Sequence, residues 1–214
     1  MYEYETEPYA HQKEVFEASW KAPCHALFLE MGTGKSKIAI DSLAALYEAQ
    51  EVNTALIVAP KGVFSNWVEQ ELPLHLPKRI PAKIVQWQPN ITKKFREALT
   101  GLADPPHTDL HILVMNVEAL STMKGAASAF KFLKMNPNNM FLMDESTSIK
   151  NRKALRTKNA IKAAGLAKYR RILTGSPITR NPMDLYSQCD FLSPQLLGFK
   201  SFFAYQARYA VVRR

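Results

Sequence analysis

Short apolar runs alternate along the chain with longer segments of helical period. The runs CHALFLE (24–30), TALIVAP (54–60), AKIVQW (82–87), HILVMN (111–116), MFLMDE (140–145) and YRRILTG (169–175) are rich in Val, Ile, Leu and Phe. Each has the length of a strand, and most lack the polar alternation of a strand with one wet face. The sheet they build should therefore be covered on both sides. Helical spacing of apolar positions falls over 9–20, 35–50, 63–72, 151–164 and 183–192, with Pro8 just ahead of the first segment. This alternation predicts an α/β fold: a doubly wound, mostly parallel sheet with helices on both faces. The segment GLADPPHTDL (101–110) reads as a surface loop, and no internal repeat interrupts the order.

In open parallel sheets, ligands gather beyond the carboxyl ends of the strands, so the residues just past each run matter most. The first run leads into EMGTGKS, residues 30–36. Gly32, Thr33 and Gly34 would turn the backbone so that successive N–H groups and a helix N-terminus converge on phosphate oxygens. Lys35 would neutralise the β- and γ-phosphates, and the Ser36 hydroxyl would join the coordination sphere of Mg²⁺. The longer form of this motif would need glycine at position 29, where Leu29 stands; the shorter Gly-x-Gly-Lys-Ser form is intact. Taken alone, the loop is also compatible with a plain glycine turn and a solvated lysine. Asp144 and Glu145 change that, because acidic side chains at the end of an apolar strand need a cation or a reaction to justify them. Asp144 suits Mg²⁺, and Glu145 suits the water that attacks a γ-phosphate. The two turns together read as an ATP and Mg²⁺ site.

A length of 214 residues fits one large domain. Lys and Arg number 28 against 19 Asp and Glu, a net charge of +9 that favours a polyanionic partner. The charge is local: residues 150–180 hold ten basic residues and no acidic one, whereas residues 1–20 hold five glutamates and one lysine. Within that basic run, Arg152 and Arg156, and Lys158 and Lys162, sit four apart on the predicted helix, where like charges repel unless an anion lies near. Cys24 and Cys189 have no ligand spacing around them and read as two buried, reduced thiols. The N-terminus has no signal-peptide character and no run is long enough to span a membrane, so a soluble protein of a reducing compartment, the cytoplasm, is expected. Oligomeric state is not specified by these features.

The ordered set PYAHQ, EMGTGKS, LIVAPKGVFSNWVEQEL, VMNVEAL, FLMDESTSIKN and RILTGSPITRNPMDLYSQCDFLSP resembles the first lobe of superfamily-2 helicases, and within them the Swi/Snf-like translocases, in a compact phage or bacterial form. The resemblance implies a RecA-like P-loop NTPase fold. It also implies that residues 1–214 are a single N-terminal ATP-binding lobe, with the C-terminal RecA-like lobe and its arginines outside this chain. It assigns adenine recognition to Gln12, with Tyr9 near the base. Coupling falls to Thr174, Gly175 and Ser176, and nucleic-acid contact to Lys61, Lys150 and Arg152. Trp67 is expected mainly to fill the core. The implied function is a DNA-dependent ATPase that moves along double-stranded DNA. A strand-separating helicase, a restriction-system motor subunit and a non-hydrolytic nucleic-acid-binding module remain alternatives.

Overall fold

In a computed structural model, residues 2–90, 92–103, 108–194 and 196–210 are described. Six strands form one sheet: β1 (Cys24–Phe28), β2 (Thr54–Ala59), β3 (Ala82–Gln86), β4 (Leu110–Asn116), β5 (Asn139–Asp144) and β6 (Tyr169–Thr174). Their order is β1-β6-β5-β2-β4-β3, and every pairing is parallel. All six predicted runs became strands, because β-branched and long apolar side chains on both faces can be buried only inside a covered sheet.

Strand β2 shows the two-sided core directly. Ala55, Ile57 and Ala59 point into one apolar cluster, and Leu56 and Val58 into the other. The first cluster is closed by α1 (Ala10–Ser19) and α2 (Lys35–Glu48), which contribute Phe16, Ile38, Leu43 and Leu46. The second lies under α5 (Lys93–Ala103), α6 (Met123–Met135), α7 (Leu155–Ala164) and α8 (Asp184–Leu192), through Phe95, Phe132, Ala160 and Phe191. A last helix, α9 (Phe202–Tyr209), packs Tyr205 against Tyr186.

The region expected as one helix over 63–72 is a short α3 (Phe64–Asn66), a π-type turn (Trp67–Glu71) and a short α4 (Leu72–His75). Pro73 supplies the reason. It has no N–H to donate, and in a regular helix its ring would crowd the carbonyl four residues back. The wide turn just before it, in which the Leu72 N–H donates to the Trp67 carbonyl, removes that conflict. Helices α5, α6 and α9 were not anticipated. Residues 101–103 close α5 instead of opening a loop, and 104–107 lie outside the described residues. Cys189 is buried as expected, but Cys24 is only half-buried, since it begins the edge strand β1. Among the described residues no helix is long and apolar enough to cross a membrane.

Candidate nucleotide site

Strand order brings the expected residues together. Within the sheet β6 lies between β1 and β5, with Phe28 level with Thr174 and Asp144 level with Leu173. The glycine loop after β1, Thr174 at the end of β6 and Asp144-Glu145 at the end of β5 therefore share one rim. A cleft of roughly 400 Å³ opens there, lined by Gly32, Gly34, Lys35, Ser36, Trp67, Glu71, Asp144 and Glu145 among others.

The loop owes its shape to two glycines in the left-handed region, Gly32 at φ 78° and Gly34 at φ 82°. At Gly34 space matters as well as φ: a Cβ there would collide with Gln12 Nε2. Gln12 is buried at the start of α1. Its Nε2 donates to the Thr33 carbonyl at 3.0 Å, and its Oε1 accepts the Tyr9 N–H at 3.0 Å. The His11 ring reaches the same carbonyl, and Tyr9 is exposed beside it. Thr33 Oγ1 closes the turn on the Glu30 carbonyl at 2.7 Å. Lys35 Nζ donates to the Leu29 and Glu30 carbonyls at 3.0 and 2.9 Å, which holds the ammonium across the mouth of the loop.

Opposite the loop, Asp144 is fixed from two sides. Trp67 Nε1 donates to Oδ2 at 2.9 Å, and the Glu145 N–H donates to Oδ1 at 2.9 Å. Burial pushes the Asp144 carboxyl above the ordinary range, while these two donors and Lys35 pull it back. Trp67 thus fills the core, as expected, and also holds a site carboxylate. Glu145 adopts φ 45° and ψ 63°, a left-handed conformation costing an L-residue about 1–2 kcal/mol. Its neighbours hold it there: its carbonyl accepts the Ser148 N–H at 2.9 Å, and its Oε2 accepts the Thr174 hydroxyl at 3.1 Å. Strain of this kind collects where a side chain must be aimed. Thr174 Oγ1 also accepts the Ser176 N–H at 3.2 Å, so one hydroxyl joins Glu145 to the turn containing Gly175 and Ser176.

Sequence reading missed a second link between these turns. Ser146 Oγ donates to Gln188 Oε1 at 2.6 Å, and Gln188 Nε2 donates to the Pro177 carbonyl at 2.7 Å, all in buried or half-buried surroundings. It also missed Glu71 and His75 on the cleft wall. Burial raises the Glu71 carboxyl, against the opposing effect of a hydrogen bond from the Ser36 hydroxyl; burial and the charge of Lys37 lower His75. A solvated glutamine and a helical glutamate carry no sequence signal by themselves, so only the tertiary pairing finds them.

The basic residues are placed differently from expectation. Helix α7 starts at Leu155 with Ala154 as its cap, so Arg152 precedes it and does not share a helix face with Arg156. Arg152 lies 4.2 Å over the Phe202 ring, Arg156 Nε donates to the Ser148 carbonyl at 2.8 Å, and Lys162 sits over Phe130. Lys150 bonds the Thr179 hydroxyl and stands 3.8 Å from Asp184. Lys150, Arg152, Lys153, Arg156 and Arg180 still line a common cleft beside Phe202 and Phe203. Lys61 is exposed in the turn after β2. Neither group is part of the phosphate-loop cleft.

A six-stranded parallel sheet with a glycine loop, an Asp-Glu pair and a Thr-Gly-Ser turn on one rim defines a RecA-like nucleotide-binding lobe. The sequence profile of the SNF2-related domain family matches residues 11–211, and the chain belongs to that family. It is 31% identical over 172 residues to the Danio rerio SWI/SNF-related matrix-associated actin-dependent regulator of chromatin subfamily A containing DEAD/H box 1A, covering 79% of this chain and 16% of the relative. It is 28% identical over 167 residues to the ATP-dependent helicase fft1 of Schizosaccharomyces pombe, covering 78% and 16%. The solved Sulfolobus solfataricus SWI2/SNF2 ATPase core in complex with dsDNA superposes with a TM-score of 0.72 at 23% identity, covering 98% of this chain and 40% of that one. The chain thus has the fold of an SNF2-family ATPase lobe and spans about one sixth of those two relatives.

Proposed function

We propose that this chain is the ATP-binding lobe of a DNA-dependent ATPase that converts hydrolysis into movement along double-stranded DNA. One observation carries the reading: Lys35 and Ser36 share a cleft with Asp144 and Glu145. Lys35 and the N–H groups of Gly32 to Ser36 take the β- and γ-phosphates. Among the described residues no three His, Cys, Asp or Glu side chains are grouped to hold a metal by themselves. Mg²⁺ does not require such a group, since it keeps several waters and binds through one or two protein oxygens plus substrate phosphates, so Ser36 and Asp144 fit it. When bound, Mg²⁺ neutralises charge building on the transferred phosphoryl group. Glu145 orients and deprotonates the attacking water.

Gln12 uses one donor and one acceptor within the loop; an amide has a second of each, the pair that an adenine edge requires. Thr174, with its hydroxyl on Glu145 and the Ser176 N–H on that hydroxyl, relays the phosphate state to the Gly175 turn. Lys61, Lys150 and Arg152 are candidates for backbone phosphates, and the duplex named with the Sulfolobus solfataricus structure supports double-stranded DNA as the track. The cleft has walls from this lobe only, which supports a second RecA-like lobe supplying arginines to the transition state.

Residues 1–214 alone should hydrolyse ATP slowly, and a protein carrying both lobes should be accelerated by duplex DNA. Triplex displacement without unwinding of a forked duplex is expected of that longer protein, whereas fork unwinding would favour a strand-separating helicase. Robust DNA-stimulated turnover by residues 1–214 alone would contradict the one-walled site.

A further inference from the structure

The π-type turn carries two side chains into the nucleotide cleft, and each meets a different member of the proposed metal site. Trp67 opens the turn and donates to Asp144 Oδ2 at 2.9 Å. Glu71 closes it, lines the cleft between Ser36 and His75, and receives the Ser36 hydroxyl. The Glu71 side chain keeps 33% of its surface exposed, so the carboxylate is not buried filler. Its other neighbour, His75 Nε2, stands 3.9 Å away, and His75 Nδ1 is tied to Thr6 Oγ1 at 2.8 Å.

A serine that ligates a cation through its oxygen lone pair still has a proton to place. Nothing in the glycine loop is placed to accept it, since the loop presents N–H groups to the cleft. Glu71 does. Its charge has a second effect. With Asp144 and Glu145 it makes three carboxylates around a cleft in which Lys35 is the only lysine or arginine among the described residues. Metal-free nucleotide, itself highly anionic, meets that set unfavourably, and nucleotide carrying a divalent cation meets it favourably.

We infer that Glu71 is a positioning residue of the metal site, accepting the Ser36 hydroxyl so that its lone pairs face the cation and biasing the cleft toward metal-loaded over metal-free nucleotide. The inference rests on the reading of the cleft as an ATP and Mg²⁺ site. Removal of an outer partner of a metal ligand commonly weakens metal binding about 10–100-fold.

The test is equilibrium binding of ATP to residues 1–214, measured once with excess Mg²⁺ and once with EDTA, for the natural sequence, Glu71→Gln and Glu71→Ala. The quantity read is the ratio of the two affinities. Both substitutions should lower that ratio by about tenfold or more, with affinity for metal-free ATP unchanged or tighter. Thermal unfolding of each variant checks that the fold persists, and Glu71→Gln, which keeps size and an acceptor oxygen, serves if Glu71→Ala does not fold. An unchanged ratio, or equal losses with and without Mg²⁺, would overturn the inference while leaving the ATP site standing. Absence of ATP binding by the natural sequence would instead remove the site reading, and Glu71's role with it.

Discussion

The hydrogen bond from Trp67 to Asp144 joins the core to the site, and its strength can be isolated. Trp67 is 2% exposed and its Nε1 lies 2.9 Å from Oδ2. Trp67→Phe removes the N–H and also part of a core side chain, so the single substitution mixes hydrogen bonding with packing. A double-mutant cycle with Asp144→Ala cancels the packing part, since the cavity left by the smaller ring persists in both halves of the cycle. A hydrogen bond to a charged group contributes about 1.5–3 kcal/mol, and that is the coupling expected from urea unfolding at neutral pH. In a chain of this size, 1 kcal/mol shifts the midpoint of thermal unfolding by about 2–4 °C, so the coupling is within reach of calorimetry too.

The coupling should shrink on acidification, because the bond weakens once Asp144 is protonated. Burial raises the Asp144 carboxyl, so this loss begins at higher pH than for an ordinary aspartate. The sign of the total effect is opposite. A raised folded-state pKa means that the folded protein holds its proton where the unfolded chain has released it. The net contribution of Asp144 to stability therefore falls as pH rises through that window. Trp67→Phe removes a donor that opposes the rise and should widen the window upward. A coupling below about 0.5 kcal/mol, the level at which independent sites add, would refute the assignment and reduce Trp67 to core packing.

Other substitutions test neighbouring links. Gly34→Ala combines a left-handed residue, about 1–2 kcal/mol, with displacement of Gln12 from Thr33, about 0.5–1.5 kcal/mol. It should lower the thermal midpoint by several degrees, and an unchanged midpoint would show that the loop does not need the glycine. Ser146→Ala leaves Gln188 Oε1 without its buried donor and should cost about 1–3 kcal/mol in urea unfolding; a loss no larger than that of an exposed serine would mean that the Ser146–Gln188–Pro177 link is idle. Thr174→Val keeps shape but removes the hydroxyl between Glu145 and Ser176. In the two-lobed protein it should reduce DNA stimulation of hydrolysis more than ATP affinity, and equal effects on both would count against coupling through Thr174.

Strand positions were legible because a sheet covered on both faces demands unbroken apolar runs, and the six runs end within two residues of the observed strands. The convergence of Lys35, Asp144 and Thr174 was legible for a related reason: strand ends on one rim are fixed by parallel topology. Helix α6 was not, because Gly125, Ala126, Ala127 and Ala129 give no apolar period. Gly125 is required by close approach, since a Cβ there would run into the Ala119 carbonyl oxygen. Helix α9 was hidden in a stretch whose aromatic and basic residues suggested a surface tail. Glu71 depends on a π turn that Pro73 imposes, and spacing rules for regular helices do not reveal it. The basic run misled because its helix begins at Leu155, three residues beyond Arg152, and because several of its charges bond carbonyls, rings or Asp184 within the lobe.

The central claim is that the loop at residues 30–36 and the Asp144-Glu145 turn form one ATP site. Equilibrium titration of residues 1–214 with ATP and Mg²⁺, beside the same titration of Lys35→Ala, tests it most directly. Saturable binding by the natural sequence, weakened at least tenfold in a Lys35→Ala variant that stays folded, is the predicted result. Equal affinity in the two proteins would contradict it.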